Sequence, residues 1–358
     1  MSSTPDLPCL NVNLALIRHN ARVMSQLCQH AGIQPAGVTK LMRGAPQVAK
    51  AMLEGGIEVL ADSRLPNLKR LSGLGAPRLL LRIPQLSQAS EVVTHCEISL
   101  NSEESVIRAL SDAAVAQRRA HRVIVMQDLG DLREGCFDEN ETVRLARLVH
   151  ALPGLTLEGI GANLACYGGV APSEDNLGRL VGIADRIKSE LDVEFKTVSG
   201  CNSAATFMLL EDRIPKGITQ LRLGASLLLG IGLNDEPIPG LRQDTMHLEV
   251  EVIELKEKPS VPICSTALDA FGNKPVFEDF GIRLRALCAL GRQDVDFNNL
   301  TAMDPGIRII GGSSDHLILD VTDAHARYHV GDTIRFTLSY GGVLACMTSD
   351  YVSQRYLT

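Results

Sequence analysis

From residue 36 onward, short apolar runs alternate with longer segments whose apolar residues recur every three or four positions. The runs are AGVTK (36–40), IEVLAD (57–62), RLLLRIP (78–84), EISLN (97–101), RVIVMQDLG (122–130), LTLEGIGANLA (155–165), FKTVSG (195–200) and QLRLG (220–224). Runs this short and this apolar suit strands that are covered on both faces. The segments between them read as helices. APQVAKAMLEGG closes on a glycine pair, NSEESVIRALSDAA opens with a cap and an acidic first turn, and SEDNLGRLVGIADRIKSEL keeps its apolar residues at helical spacing. Eight strands interleaved with helices, at intervals of about 20 to 35 residues, predict an α/β fold, a (β/α)8 TIM-like barrel over residues 12–233.

The pattern changes after the Pro/Gly-rich break LNDEPIPG (233–240). MHLEVEVIELKEKP, IRLRALCALG, HLILDVT and VGDTIRFTL alternate in β fashion, with turns between them and no long helical stretch. A C-terminal mainly-β domain over residues 234–358 is expected, with an N-terminal strand within residues 1–11 packing on it. The charge cluster ELKEK reads as a solvated face.

Composition narrows the function classes. The 358 residues are 45% hydrophobic and 22% charged with a net charge of −7, an ordinary globular balance that offers no broad basic surface to nucleic acid or anionic lipid. Aromatic residues make up 4% and tryptophan is absent, which disfavours base stacking. The N-terminus lacks a charged segment leading into an apolar one, and no apolar run approaches about 18 residues, so a cytoplasmic protein without membrane contact is expected. The nine cysteines never pair as C-x-x-C, so neither a metal site nor a disulfide framework is expected, and the thiols read as reduced and mostly buried.

Barrels keep their chemistry at the carboxyl ends of the strands. Those ends would present Lys40, Ser63, Arg82, Asn101, Asp128 with Arg133, Asn163, and the loops SGCNS and RLGAS. Ser63, Asn101 and Asp128 read as loop and capping residues. The last two loops sit where barrels bind phosphate. Gly200 and Gly224 bare the backbone, Ser203 offers a hydroxyl, and a helix starting near Asn202 would aim its N-terminus inward. A phosphate site beside a strand-end lysine suggests a phosphorylated cofactor held by an imine, and pyridoxal 5'-phosphate (PLP) is the ordinary one. Burial lowers a lysine pKa and frees the amine for that role.

At this point the chain resembles the fold-type III PLP enzymes of the alanine racemase superfamily, and within them the predicted amino-acid racemase branch that includes ornithine racemase. The resemblance spans nearly the whole chain and rests on GVTK, LADSR, LLLRIP, DLGDLREG, NLACYGG, SGCNS, PKGITQLRLG, ELKEKPSVP, DAFGNKPVFED, GRQDVD and GSSDHLILDVTD. It implies that Lys40 is the Schiff-base lysine and one of two catalytic bases. It places Ser203, Gly224 and Ala225 around the cofactor phosphate with Tyr340, counts Asn163 and Asn202 among the cofactor-binding residues, and sets Arg222 against the pyridine nitrogen. A cation there disfavours a protonated ring and so favours simple proton return. Arg133 falls near the substrate carboxylate.

Three departures from alanine racemases stand out. Arg292 in GRQDVD occupies the place of their opposite-face tyrosine, Asn163 replaces their ring-stacking histidine, and KLMRG lacks their phosphate tyrosine, with Arg43 the nearest polar residue. An arginine is a poor base, so Arg292 is grouped with substrate binding. The second proton-transfer group is sought in Asp315 and His316, with Asp269, Asp294 and Cys264 as further candidates. These acids are equally suited to a distal substrate amine. The implied activity is racemisation of a free amino acid, a basic one such as ornithine, by a head-to-tail homodimer. An aldolase or dehydratase of the same fold type, and a non-catalytic PLP-binding homeostasis protein, are the alternatives; the long C-terminal domain argues against the last.

Overall fold

The computed structural model describes residues 6–265, 267–269 and 271–358. Two compact units emerge: Leu14–Gln243, and the N-terminal residues through Asn13 together with Asp244–Thr358. The first strand, β1 (Cys9–Asn13), belongs to the second unit.

The unit Leu14–Gln243 is a closed parallel barrel. Its staves are β2 (Gln34–Val38), β3 (Val59–Asp62), β4 (Arg78–Leu80), β5 (Ile98–Asn101), β6 (His121–Met126), β7 (Leu155–Ala162), β8 (Thr197–Asn202) and β9 (Gln220–Leu223), with β9 returning to β2. The eight apolar runs thus form the eight-stranded TIM-like barrel that the sequence predicts.

Side chains on a strand alternate between faces, and here the two faces carry different chemistry. From β2 to β6 the inward residues are Ala36, Val38, Val59, Ala61, Leu79, Ile98, Leu100, Ile124 and Met126, a dry apolar arc. Their outward neighbours Leu60 and Leu80 pack with Leu68, Val92 and Leu110 of the helical layer. Register then carries the inward parity from Ile124 and Met126 to Gly159 and Gly161, and from Gly161 to Ser199. Gln220 pairs with Ser199 and Arg222 with Ala36, so the arc from β7 to β9 is small and polar. Glycine is obligatory at Gly159, where a Cβ would stand 1.7 Å from the Thr197 carbonyl oxygen.

Helix ends follow local chemistry. Ser173 and Asn176 close a reciprocal capping box on Glu174–Leu191, and Asp138 caps Glu139–Ala151. The helix Glu104–Gln117 differs from expectation: its acidic first turn is present, but Glu103 holds the capping position and its side chain makes no capping bond.

One buried polar chain predicts a pH effect. His121 and Ser99 are fully buried; the His121 Nε2 lies 2.7 Å from Ser99 Oγ, and Nδ1 lies 3.2 Å from the Cys96 carbonyl oxygen. The carbonyl can only accept, so Nδ1 carries the proton and Nε2 accepts from the serine. Burial holds the imidazole neutral, with a pKa down to about 4 from an ordinary 6.5. A depressed folded pKa means stability is full above about pH 6.5 and is lost as pH falls toward 4, a difference worth about 3 kcal/mol. Urea unfolding of the parent and of His121→Gln across this window checks it. The variant should be less stable at neutral pH yet lose less on acidification; equal slopes would refute the assignment.

In the second unit β1 lies between β10 (Met246–Pro259), with which it is antiparallel, and β16 (Ser353–Leu357), with which it is parallel. The sheet is completed by β11 (Ile282–Cys288), β12 (Leu300–Ala302), β13 (Arg308–Gly312), β14 (Leu317–Asp320) and β15 (Thr333–Leu338), in the order β12-β15-β10-β11-β14-β13. β10 serves two neighbourhoods, pairing β15 with its first half and β11 with its second across a bulge between Val252 and Glu254. The mainly-β character expected of the C-terminal part is present, with the division falling at Gln243/Asp244 rather than at 233/234. Glu249, 7% exposed, is neutralised on this sheet by Arg335 at 3.0 Å and Arg355 at 2.8 Å.

Seven of the nine cysteines are buried; Cys166 and Cys264 are exposed. Among the described residues no helix is long and apolar enough to cross a membrane, and no cluster of His, Cys, Asp and Glu has the makings of a metal site.

Candidate active site

Lys40 lies two residues past the end of β2 and keeps the inward parity of Ala36 and Val38. The Thr39 N–H still donates to the Ala61 carbonyl, 2.8 Å away, before the chain turns through the 3-10 segment Lys40–Met42. The amine is half-buried, and no hydrogen bond or ion pair reaches it from the described residues. Burial lowers its pKa below the ordinary lysine value, Arg133 lowers it further, and Cys166, Asp62 and Glu134 oppose that shift. The outcome is a larger neutral fraction than an exposed lysine has, which is what a nucleophilic amine requires.

Arg222 occupies the polar arc. Nη1 donates to Ser199 Oγ at 2.5 Å and to its carbonyl at 3.1 Å, while Nη2 donates to the Ala162 carbonyl at 2.6 Å. The side chain is 3% exposed, and burial lowers its pKa. No carboxylate among the described residues pairs with it. Asn163 Oδ1 accepts from Arg222 Nη2 at 3.4 Å and from Asn202 Nδ2 at 3.2 Å, leaving Asn163 Nδ2 buried with no partner.

The loops after β8 and β9 meet at one oxygen. Ser203 Oγ accepts from the Gly224 N–H and the Ser226 N–H, each at 3.1 Å, and lies 3.1 Å from Ser226 Oγ. The expected helix near Asn202 begins as a 3-10 turn, Ser203–Ala205, with Asn202 Oδ1 capping the Ala204 N–H at 2.8 Å. Ala225 opens the short helix Ala225–Leu229 directly after Gly224. A buried guanidinium without a counter-charge among the described residues and an orphaned amide stand beside a glycine-bared loop whose N–H groups gather on Ser203 Oγ, and an anionic, phosphate-bearing cofactor with a ring acceptor fits them.

Arg133 stands in a loop that the sequence explains only in part. Its guanidinium forks onto the carboxylate of neighbouring Glu134, and Nη1 lies 2.7 Å from Cys166 Sγ. The arginine assigned to an anionic substrate thus already holds an anion. One residue to which the sequence reading gave no role organises this region. Asp131, 1% exposed, accepts from the N–H groups of Cys166 (3.3 Å), Tyr167 (2.9 Å) and Val170 (3.1 Å). Cys166 is thereby held at Arg133. Asp128 is a turn residue as read, accepting from the Gly130 N–H at 2.8 Å. Asn101 leaves the expected polar ring: it has outward parity and donates to Ser99 Oγ at 2.9 Å.

Four candidates lie in the β unit. Backbone bonds from Arg292 N to Ser313 O (3.0 Å) and from Gln293 N to Ser314 O (3.1 Å) bring GRQDVD alongside SSDH, so Arg292, Asp315 and His316 are neighbours. Asp315 Oδ1 accepts from Ser313 Oγ at 2.9 Å and Ser314 Oγ at 3.1 Å and lies 3.2 Å from His316 Nδ1; these bonds hold its pKa below the usual value. The Arg292 guanidinium stacks 4.6 Å from the Phe271 ring and 5.6 Å from Phe297, and borders a cavity of about 530 Å³ with Arg285 and Arg308. Tyr340 opens the helix Tyr340–Thr348. Among the further acids, Asp294 is buried and closes a turn, accepting from the Gly291 N–H at 3.1 Å and from Ser349 Oγ at 2.8 Å. Asp269 likewise caps the Phe271 and Asn273 N–H groups.

A closed parallel barrel whose bore is half polar, with an inward lysine at its carboxyl mouth, joined in one chain to an antiparallel β unit, defines a narrow class of α/β enzyme folds. The chain belongs to the alanine racemase family: the family model described as alanine racemase, N-terminal domain, matches residues 12–231. It is 42% identical over 351 residues to the ornithine racemase of Acetoanaerobium sticklandii, covering 98% of this chain and 99% of that protein. It is 39% identical over 352 residues to the lysine racemase of Thermotoga maritima, covering 98% of each. Among solved structures, the alanine racemase of Bartonella henselae with covalently bound pyridoxal phosphate matches with a TM-score of 0.75 at 17% identity, over 99% of this chain and 100% of that one. At that identity the likeness speaks for the fold.

Proposed function

We propose that the protein is a PLP-dependent racemase of a free basic amino acid such as ornithine. The observation that carries this reading is two nitrogen groups in one barrel that no carboxylate among the described residues pairs with, the Lys40 amine at its mouth and the buried Arg222 guanidinium in its bore. The chain's likeness to ornithine and lysine racemases over almost its whole length supports the substrate class.

Asn202, Ser203, Gly224 and Ala225 would hold the cofactor phosphate, and Arg222 with Asn163 would face the ring. When bound, PLP withdraws electrons from an amino acid joined to its aldehyde carbon and so acidifies the α-C–H. Lys40 Nζ takes or returns that proton on one face. Arg222, always protonated, keeps a hydrogen-bond donor rather than a proton source at the ring, which favours return of the proton to the α-carbon. Arg133 of the barrel unit is assigned to substrate binding together with Arg292, and the β unit is assigned the other remaining roles, Asp315 with His316 as the opposite-face proton group and Tyr340 at the phosphate. A head-to-tail homodimer is the proposed working form.

The test is α-proton exchange in deuterated water with chiral analysis, across L-ornithine, L-lysine, L-arginine, L-alanine and L-serine. Exchange with formation of the D-isomer, fastest on a basic substrate, is expected. A new product instead of the enantiomer would point to the aldolase or dehydratase alternative, and a bound imine without exchange on any substrate would overturn the enzymatic reading.

A further inference from the structure

Asp62 ends β3, the strand beside β2, and is fully buried, with no cation paired to it among the described residues. Three donors converge on it instead: Thr39 Oγ1 at 2.7 Å on Oδ2, and the Arg64 N–H at 2.9 Å and Asn67 Nδ2 at 3.0 Å on Oδ1. Thr39 is the residue that precedes Lys40. On the far side of the lysine turn the Gly44 N–H returns to the Thr39 carbonyl at 3.2 Å. Gly44 has φ +63° and presses against Asn67 so closely that a Cβ there would stand 2.7 Å from Asn67 Cβ and 2.9 Å from its backbone. The turn that carries Lys40 is therefore gripped in front through Thr39 and behind through Gly44, and both grips lead to Asp62.

A carboxyl buried away from water is costly unless its bonds are well made, and a chain that keeps one gains geometric definition. We propose that Asp62 is the positioning residue for Lys40, acting through Thr39 and Asn67 to fix the direction in which the amine leaves the barrel wall. The inference rests on Lys40 being the cofactor-holding amine. Asp62 bears on that amine electrostatically as well, beside Cys166, Arg133 and Glu134, the other charged or titratable groups that face it. The sequence reading took this aspartate only as the last residue of an apolar run.

Two readouts on the full-length protein test the proposal. The first, in cofactor-free protein, is the reactivity of Lys40 toward trace acetylation over a range of pH, followed by mass spectrometry against exposed lysines. The second is the rate of imine absorbance on addition of PLP. Thr39→Val keeps shape and removes the hydroxyl, whereas Thr39→Ser restores it. Asp62→Asn removes the charge and can still donate to Thr39, whose hydroxyl then turns to the Ala61 carbonyl at 3.3 Å. We expect imine formation to slow about tenfold or more in Thr39→Val, with an altered acetylation profile and unchanged circular dichroism, and Thr39→Ser to stay within about twofold of the parent. Asp62→Asn should fall between them, with the acetylation midpoint of Lys40 moved to lower pH. Parent-like acetylation and imine formation in both Thr39→Val and Asp62→Asn would overturn the proposal, as would a Thr39→Ser protein as impaired as the valine. A parent that forms no imine would overturn the cofactor reading instead, and the acetylation arm would still decide whether Asp62 positions the lysine.

Discussion

Lys40→Ala is expected to lower racemisation by about 10⁴-fold or more, because one substitution removes both the point of cofactor attachment and a proton-transfer group. The barrel itself should survive. Lys40 is half-buried, receives no side-chain bond from the described residues, and sits in a turn whose backbone is fixed by Thr39 and Gly44. Melting temperature and circular dichroism should therefore match the parent, separating chemical loss from unfolding. Borohydride reduction followed by peptide mapping provides the direct check. The parent should carry its reduced adduct on the peptide containing Lys40, and the variant should carry none. An adduct on another lysine, with turnover retained in Lys40→Ala, would refute the site.

Arg222→Met should divide stability from activity. The guanidinium makes three close hydrogen bonds in the bore, each worth about 1.5–3 kcal/mol when the donor is charged. Against this stands the penalty of several kcal/mol for a buried ion without a counter-charge. The two nearly cancel, and the lowered pKa of Arg222 indicates that the cofactor-free fold resists its charge. The methionine variant should then lie within about 2 kcal/mol of the parent in urea unfolding, while turnover falls by about 100-fold or more through loss of a preorganised cation. A variant that loses most of its stability together with its activity would show Arg222 to be a structural prop.

The barrel was legible because burial on both faces writes each strand as an apolar run, and β2 to β9 all fall on such runs. Lys40, Ser203 and Gly224 stood out as candidates because strand ends and glycine-rich loops at fixed places in a barrel carry chemistry, whereas Arg222 was singled out only through the family resemblance. Other roles depend on partners that no local pattern announces. Asp131 acts on backbone N–H groups more than thirty residues away, and Asp62 acts across a strand pair. Both look in sequence like ordinary acids. Asn101 was misplaced because parity, not nearness to a strand's end, decides which side of the barrel a residue serves. Glu134 shows the same limit: being next to Arg133 in sequence does not reveal that it occupies the Arg133 fork.

The placement of β1 has a consequence for how the protein is made. This strand precedes every stave of the barrel in the chain, yet its partners β10 and β16 both follow the barrel. The barrel can close while synthesis continues, since all its staves are complete by Leu223. β1 must instead wait for β10, which follows the barrel, before one of its edges is paired, and for β16 before the other is. A chain cut between β15 and β16 would keep a finished barrel attached to a sheet in which β1 is left bare along one edge.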